Sequence, residues 1–462
     1  MSMRNSIIRY SIKISGTLIL VLLVVSCGTY KNLEQAPEVK IEGKRLKEVQ
    51  SADTLTIADS LWSDYFKDEK LKELISVALK NNIDLQISIA RIKRAEAGLR
   101  MSKLGLYPNL SVGLESNTTF AKKNIENYSL GFQASWELDL WGKLNNQAKA
   151  KYASLLNTYE YKRLIQTQII ANIASAYYRL LSFDKQLEVT RQTVSVLQEN
   201  AETMDALKQA GQQNAAGVSQ SYALLYSTQT NIPQLQTQIR EQENIICLLL
   251  GREPGKIERT NLDMQSVKEE LNVGIPAVSL SKRPDVRQAQ LNVQMAFANT
   301  RVAKANLYPA LRITSATAGN SSNSFSELFK FDNIAANLVA GVTQPIFNRG
   351  QIKGNIKVAE ANQKEAMLNF RSSVLNAASE VSNILYGFES SLRKNRFRKS
   401  QIKVLNQSVE YTQELLIAGE ANYTEVLTAQ QNLLSAQLSQ INDKLDQLIY
   451  EINLYKALGG GL

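Results

Sequence analysis

Histidine is missing from this sequence altogether, and cysteine occurs only at positions 27 and 247. Without histidine or clustered cysteines there is no common zinc site and no Ser/His or Cys/His nucleophile pair. Carboxylates alone could still serve an acid/base enzyme, but here they are scattered along helix faces as solvated charge would be. The chain therefore does not read as an enzyme, and neither a metal nor a cofactor is expected beyond a covalent lipid. Cys247 sits in the run Ile245-Ile246-Cys247-Leu248 and reads as a packing thiol. Proline is scarce, with eight in 462 residues and none between positions 143 and 210. A single long apolar run exists near the start, residues 14–25, and it is too short to span a membrane as a helix.

That run has the surroundings of an export signal. Arg4, Arg9 and Lys13 precede it, and Ser26-Cys27 follows it, giving a basic region, an apolar region and a small residue before a cut. Val24-Val25-Ser26-Cys27 resembles the lipobox of bacterial lipoproteins, which implies cleavage after residue 26 and a diacylglycerol on Cys27. No internal disulfide is then expected. Gly28, rather than an aspartate, suits onward sorting to the outer membrane under the enterobacterial rule. Removing residues 1–26 takes three basic residues from a net charge of +10, and 10 − 3 leaves +7. A basic balance can point to nucleic acid, but an exported chain does not meet it. Residues 27–60, of mixed charge and little periodicity, read as a tether.

The rest of the chain is organised around a strand that hands over to a very long helix. Tyr128, Leu130, Phe132, Ala134, Trp136, Leu138 and Leu140 alternate with Ser129, Gly131, Gln133, Ser135, Glu137 and Asp139, which is the period of a strand with one apolar and one polar face. After Trp141-Gly142 the period changes. Leu155, Tyr159, Ile165, Ile169, Ile173, Tyr177, Leu180, Leu187, Val194 and Leu197 are spaced by threes, fours or their sums. Residues 143–210 thus predict a helix of roughly 100 Å at ~1.5 Å per residue, far beyond the ~10–14 residues usual in a globular domain.

The same unit occurs twice. Tyr107-Pro108 and Asp84 match Tyr308-Pro309 and Asp285 at an offset of 201, whereas Gly142, Gly211 and Leu250-Gly251 match Gly350, Gly419 and Leu458-Gly459 at 208. Seven residues are inserted between Pro309 and Gly350, as a strand-to-strand loop tolerates. Each copy predicts helix, strand, loop, strand, long helix, tight turn, helix. The first helix is expected from Leu61 through Leu79, relayed by Asn81-Asn82-Ile83-Asp84 into a helix ending at Leu104, where Tyr107-Pro108 stops it. Leu110, Val112 and Leu114 mark the first strand, with residues 116–127 as the loop. In the second copy residues 311–317 and 338–347 are the strands and 319–333 the loop.

Strands of about 9–11 residues have the length of tilted membrane strands. Four of them cannot close, and a membrane sheet tolerates no open edge, so several chains must pool their strands. Three chains give twelve, an even number in the range of such barrels. The long helices carry Ala, Ser, Asn and Gln on their remaining faces, for example Asn145 to Ala148 and Ala359 to Gln363, and a sustained apolar stripe of this length is a coiled-coil signature. The simplest assembly is a β-barrel prolonged by a hollow α-barrel, an α+β membrane protein.

The stretch from Trp62 to Asn82, Leu248-Leu249-Leu250-Gly251-Arg252-Glu253-Pro254-Gly255, Arg283-Pro284-Asp285-Val286-Arg287-Gln288-Ala289, Leu307-Tyr308-Pro309 and Gln344-Pro345-Ile346-Phe347-Asn348-Arg349-Gly350 resemble the TolC-like outer-membrane efflux protein family, in its lipoprotein branch serving resistance-nodulation-division pumps. The resemblance covers residues 60–460 and includes the duplication. It implies a homotrimer with a twelve-stranded barrel, a periplasmic tunnel, and an equatorial linker at 256–282 between a first repeat (61–255) and a second (283–462). It also implies docking to a periplasmic adaptor and an inner-membrane transporter. The turns at 211–218 and 419–426 lie where the family narrows its tunnel with carboxylates, which makes Glu420 and Glu425 candidate gate residues. Gly217 and Ala421 depart from that pattern, standing where acidic residues often occur. Gly211, Gln213, Gly217, Val218, Gly419 and Asn422 are candidate adaptor-contacting tips, the two turn glycines also ending the long helices. Lys122, Lys123 and Arg312 are candidates for biasing ion selectivity, with the lumen-facing ones undecided.

Three rivals share parts of this pattern. A type I secretion duct needs the same architecture, although lipidation at Cys27 and the Arg283-Pro284-Asp285 motif favour the pump branch. A periplasmic adaptor usually carries one helical hairpin within β-rich domains, whereas two hairpins are predicted here. A structural envelope rod would have no membrane strands.

Overall fold

The computed structural model describes residues 61–120, 125–268, 280–330 and 335–460. The expected signal peptide, Cys27, the tether, Lys122, Lys123 and residues 269–279 of the expected linker lie outside them. Helices α1 (Trp62–Tyr65), α2 (Glu69–Asn81) and α3 (Ile83–Leu104) lead into β1 (Asn109–Thr119) and β2 (Ile125–Leu138), then α4 (Lys143–Gln209) and α5 (Ala215–Leu249). The order returns as α6 (Pro284–Ala305), β3 (Ala310–Ser322), β4 (Ala335–Thr343), α7 (Gln351–Ile417) and α8 (Tyr423–Ala457). Both long helices have 67 residues and both following helices 35. The loops within the hairpins have five residues (120–124) and twelve (323–334), and 12 − 5 = 7 places the inserted residues there.

Several boundaries differ from the sequence expectation. The first helix is broken at residues 66–68, because Asp68 is extended and its carboxylate accepts hydrogen bonds from the amides of Lys70 (2.9 Å) and Leu71 (3.2 Å), starting α2 afresh. The strands run further toward the loops than expected: β1 reaches Thr119, β2 begins at Ile125 and β3 reaches Ser322. Backbone pairing continues where the polar side chains Ser116 to Thr119 give no alternation to read. Strand β4 lies earlier than expected, ending before Gln344-Pro345, since proline has no amide to give a ladder. Along α4, Tyr159 is exposed although it falls on the apolar stripe.

The described chain divides into two compact units. The first holds residues 93–157 and 289–370 and contains one antiparallel sheet in the order β1-β2-β3-β4, whose outer strands β1 and β4 have free edges. Register fixes its faces. Leu110, Val112 and Leu114 oppose Ala134, Phe132 and Leu130; Phe132 opposes Ala318; and Leu311 and Ile313 oppose Val342 and Ala340. These residues share one apolar face, and it is open, with Val112 66% and Phe132 60% exposed. Aromatic rings sit at both ends. Tyr128, Phe325 and Phe329 pack edge-on at 5.7 Å near the loops, while Trp141 stacks on Tyr308 at 4.8 Å where the helices begin. Trp136 and Trp141 donate their indole N–H to the carbonyls of Leu106 (2.9 Å) and Pro309 (2.7 Å). On the opposite face Gly113, Gly131 and Gly319 stand side by side across three strands. A Cβ on Gly131 would lie 2.8 Å from the Ala318 carbonyl oxygen, and one on Gly319 would overlap that of Leu130. A row without side chains relieves crowding there and lets the sheet curl toward its polar face.

The second unit holds, among the described residues, 61–92, 158–268, 280–288 and 371–460. Its core joins Leu71 and Ile75 of α2, Ile170, Ile173, Tyr177, Leu180 and Leu181 of α4, Ile246 of α5 and Ile452 and Tyr455 of α8. Each such side chain contributes about 1.5–3 kcal/mol by leaving water. Cys247 is buried in the same cluster with a free thiol. Two polar hubs are set into this unit. The second oxygen of Asp68 accepts from Tyr177 (3.0 Å), Gln265 (2.7 Å) and the Thr260 hydroxyl. Burial pushes Asp68 upward, but the hydrogen bonds from Thr260, the Leu71 amide, Gln265 and Tyr177 outweigh it and hold the carboxyl below its usual range. Arg283 grips Asp285 with two bonds (3.0 and 2.8 Å), Glu380 at 2.7 Å and the Ala457 carbonyl at 2.7 Å. The Arg283-Pro284-Asp285 motif thus ties the start of α6 to α7 and the end of α8. No described helix is long and apolar enough to cross a membrane.

Candidate functional site

The two turns that end the long helices are built alike. Gly211 (φ 73°) and Gly419 (φ 75°) adopt the left-handed conformation, which costs any other residue about 1–2 kcal/mol. This bends the chain so that the amides of Gly211 and Gln212 reach the carbonyls of Lys208 and Leu207, both at 2.9 Å. In the second turn Gly419 and Glu420 reach Leu416 (3.1 Å) and Leu415 (2.9 Å) in the same way. An asparagine then starts each returning helix. Asn214 Oδ1 accepts from the Gly217 amide (2.9 Å), and Asn422 Oδ1 accepts from that of Thr424 (3.1 Å).

Packing brings the turns together. Met204 and Val218 of the first form one buried cluster with Tyr423, Val426 and Leu427 of the second, and the Thr424 hydroxyl lies 3.3 Å from Gln220 Oε1. Among the expected tip residues Val218 is in this core, Gly211, Gly419 and Asn422 are exposed, and Gln213 and Gly217 are half-buried. A Cβ on Gly217 would approach the Met204 methyl to 3.3 Å, so the glycine that departs from the expected acidic pattern faces a packed side chain. Glu420 and Glu425 are both exposed on the second turn, and among the described residues neither has a salt-bridge partner. The buried Gln430 amide, seven residues along α8 from Tyr423, makes no hydrogen bond within the described chain. Sequence reasoning missed Met204 and Tyr423, although Met204 stands seven residues after Leu197 and continues the apolar spacing of α4 into the turn.

A second constellation lies on the polar face of the sheet, at its helix end. Arg312 of β3 stands opposite Glu137 of β2. Its Nε and one Nη reach Glu137 Oε2 at 2.9 and 2.7 Å, and Lys143 Nζ reaches Oε1 at 2.9 Å. This decides the face for Arg312, left open by the sequence, and adds Glu137 and Lys143 to it. The signal for Glu137 was its place on the polar side of β2, whereas Arg312 is 175 residues away in the chain. Among the described residues no group of three or more acidic or cysteine side chains could hold a metal ion.

Comparison with known proteins gives this architecture a family. A family model described as outer membrane efflux protein matches residues 74–252 and 275–460. The cation efflux system protein CusC of Escherichia coli (strain K12) is 29% identical over 412 residues, covering 87% of this chain and 88% of CusC. The probable outer membrane lipoprotein SilC of Salmonella typhimurium is 27% identical over 410 residues, with 87% and 88% covered. The solvent efflux pump outer membrane protein SrpC of Pseudomonas putida is 29% identical over 414 residues, with 86% and 87% covered. A crystal structure of CusC aligns with a TM-score of 0.81 at 27% identity, over 87% of this chain and 95% of that one. With both halves matched and the fold in agreement, the chain belongs to the outer membrane efflux protein family and resides in the outer membrane.

Proposed function

We propose that this chain is the exit duct of a tripartite efflux pump, in which three copies pool four strands each into a twelve-stranded barrel continued by a hollow helical barrel in the periplasm. The observation that carries this reading is the sheet. Its apolar face is open, its two edges are unpaired, and its strands lead through single turns into 67-residue helices. An edge cannot be left open in lipid. From Tyr128 to Trp136 is eight residues, about 26 Å at ~3.3 Å each, close to the ~25 Å band between aromatic girdles in outer-membrane barrels. Equal helix lengths in the two halves support an internal duplication, with repeats at 61–255 and 283–462 joined by a linker at 256–282.

Residues 1–26 direct export and Cys27 carries lipid, a reading supported by the lipoprotein name of SilC. The helical turns meet a periplasmic adaptor, which connects the duct to an inner-membrane transporter of the resistance-nodulation-division class. The duct does no chemistry of its own. CusC is named for cations and SrpC for solvents, yet each is 29% identical to this chain. That supports a passage conducting whatever the transporter delivers. Threefold copies of Glu420 and Glu425 at the turns would form carboxylate rings able to gate small solutes. The unpaired Gln430 amide, costing about 1–3 kcal/mol, makes the packing around the turns easy to exchange for another. The test is conductance of the purified mature protein across a planar bilayer, with its oligomeric mass. A trimer with small, mostly closed conductance that becomes leakier in Glu420→Ala is the expected result. A non-conducting monomer or dimer overturns the duct, and an unchanged Glu420→Ala removes that residue from the gate.

A further inference from the structure

The cluster of Glu137, Arg312 and Lys143 has no part in closing or docking the duct, and its construction points to a task. We propose that it is an ion-specificity element where the strands of the passage give way to its helices, favouring small inorganic anions; the proposal rests on the duct reading, in which the polar face of the sheet is the inner one. Three features of the geometry support it.

The first is register. Ala134 pairs with Ala316, and unbroken pairing would set residue 314 against Trp136 and residue 313 against Glu137. Instead the ladder shifts between Ala134 and Trp136, so that Ile313 faces Trp136 and Arg312 faces Glu137. A slip of one residue moves a side chain to the other face. The bulge therefore transfers Arg312 from the apolar face to the polar one, the re-aiming that bulges perform. Strand β4 follows with its own shift at Ile313/Ser315.

The second is access. Gly341 pairs with Arg312 from β4, and a Cβ on it would meet nothing within 4 Å. The Arg312 side chain is 48% exposed, against 22% for Glu137 and 25% for Lys143. The guanidinium thus borders open space, while the carboxylate that holds it is largely enclosed.

The third is charge. Two cations share one carboxylate, leaving one excess positive charge in each copy. Asp139 offsets it only in part, because its two oxygens accept from the amides of Leu144 (2.9 Å) and Asn145 (2.8 Å) and share its charge with the positive end of α4. In a trimer the three excess charges form a ring, and rings of Arg and Lys favour anions in narrow passages.

Purified full-length protein in planar bilayers tests this through the reversal potential in a potassium chloride gradient near ~0.1 M, where charge reaches about 10 Å. The carboxylates of Glu420 and Glu425 act in series with the cluster, so the readout is the change in each variant relative to the parent. Glu137→Gln frees both cations and raises the chloride-to-potassium permeability ratio. Arg312→Gln and Lys143→Gln each leave a neutral pair and lower it. All three differences shrink toward ~1 M salt, where the screening length is about 3 Å. Should Glu137→Gln fail to assemble, the two cation variants carry the same test with the opposite sign. Ratios in conducting Arg312→Gln and Lys143→Gln channels equal to the parent's at ~0.1 M overturn this proposal and leave the duct standing. A parent trimer that conducts nothing overturns both.

Discussion

Replacing Arg283 with alanine should loosen the second unit. The arginine side chain is 9% exposed and holds two carboxylates and the carbonyl that ends α8. Removing one member of a buried ion pair costs about 3–5 kcal/mol, because the partner is left uncompensated. Here the partners are Asp285 and Glu380, whose side chains are 40% and 39% exposed. Water can take over part of their solvation, which reduces the cost to about 2–3 kcal/mol. At about 2–4 °C per kcal/mol for a unit of this size, the midpoint of thermal loss of helical circular dichroism should fall by about 5–10 °C. Arg283→Lys keeps the charge but not the planar fork, and should recover part of the loss. A midpoint within ~1 °C of the parent for Arg283→Ala would refute the argument, and a lysine variant as unstable as the alanine one would refute the role of the fork.

Two further predictions concern the same unit. Asp68 has its folded pKa below the ordinary carboxyl value of 3.8, so its stabilisation is complete above that value and is lost as pH falls through the folded one. The stability gap between parent and Asp68→Asn, followed by denaturant midpoint, should hold from neutral pH down to about 4 and narrow below; a gap that widens in acid would contradict the hydrogen-bond account. Gly387 of α7 sits against the ring of Tyr450, where a Cβ would come within 2.6 Å of a ring carbon. Gly387→Ala should cost about 1–3 kcal/mol by overpacking, and Tyr450→Leu should relieve it; no relief would mean that the ring is not the obstacle.

The sequence displayed some of this more openly than the rest. The ends of the long helices were legible because glycine is the residue that tolerates the left-handed turn, and Gly211 and Gly419 stand at equivalent places. The seven-residue insertion was legible from two offsets alone. The break at Asp68 was not, since its cause lies partly in Tyr177 and Gln265, 109 and 197 residues away. The strand ends were hidden for a different reason: backbone pairing through Ser116 to Thr119 leaves no trace in side-chain alternation. At the candidate sites the exposed Glu420 and Glu425 could be named from their place in a turn. The triad on the sheet required a bulge to assemble, and no composition or spacing in β3 announces one. The motif containing Arg283 stood out as a pattern, but what it fastens, Glu380 and the Ala457 carbonyl, became visible only in three dimensions.

The glycine row also bears on the order in which the molecule can be made. Gly131 and Gly319 are adjacent in the sheet yet 319 − 131 = 188 residues apart in the chain. The joint between β2 and β3 therefore has to wait for the second half of the chain, and pairings of such long sequence separation are intrinsically slow. Until residue 319 emerges, the first hairpin has no partner for β2, and an apolar strand edge waiting in this way invites aggregation. The chain must be made as far as Thr343 and held soluble before a four-stranded sheet exists to offer a membrane. The rate of sheet assembly should depend on whatever protects the first hairpin during the wait.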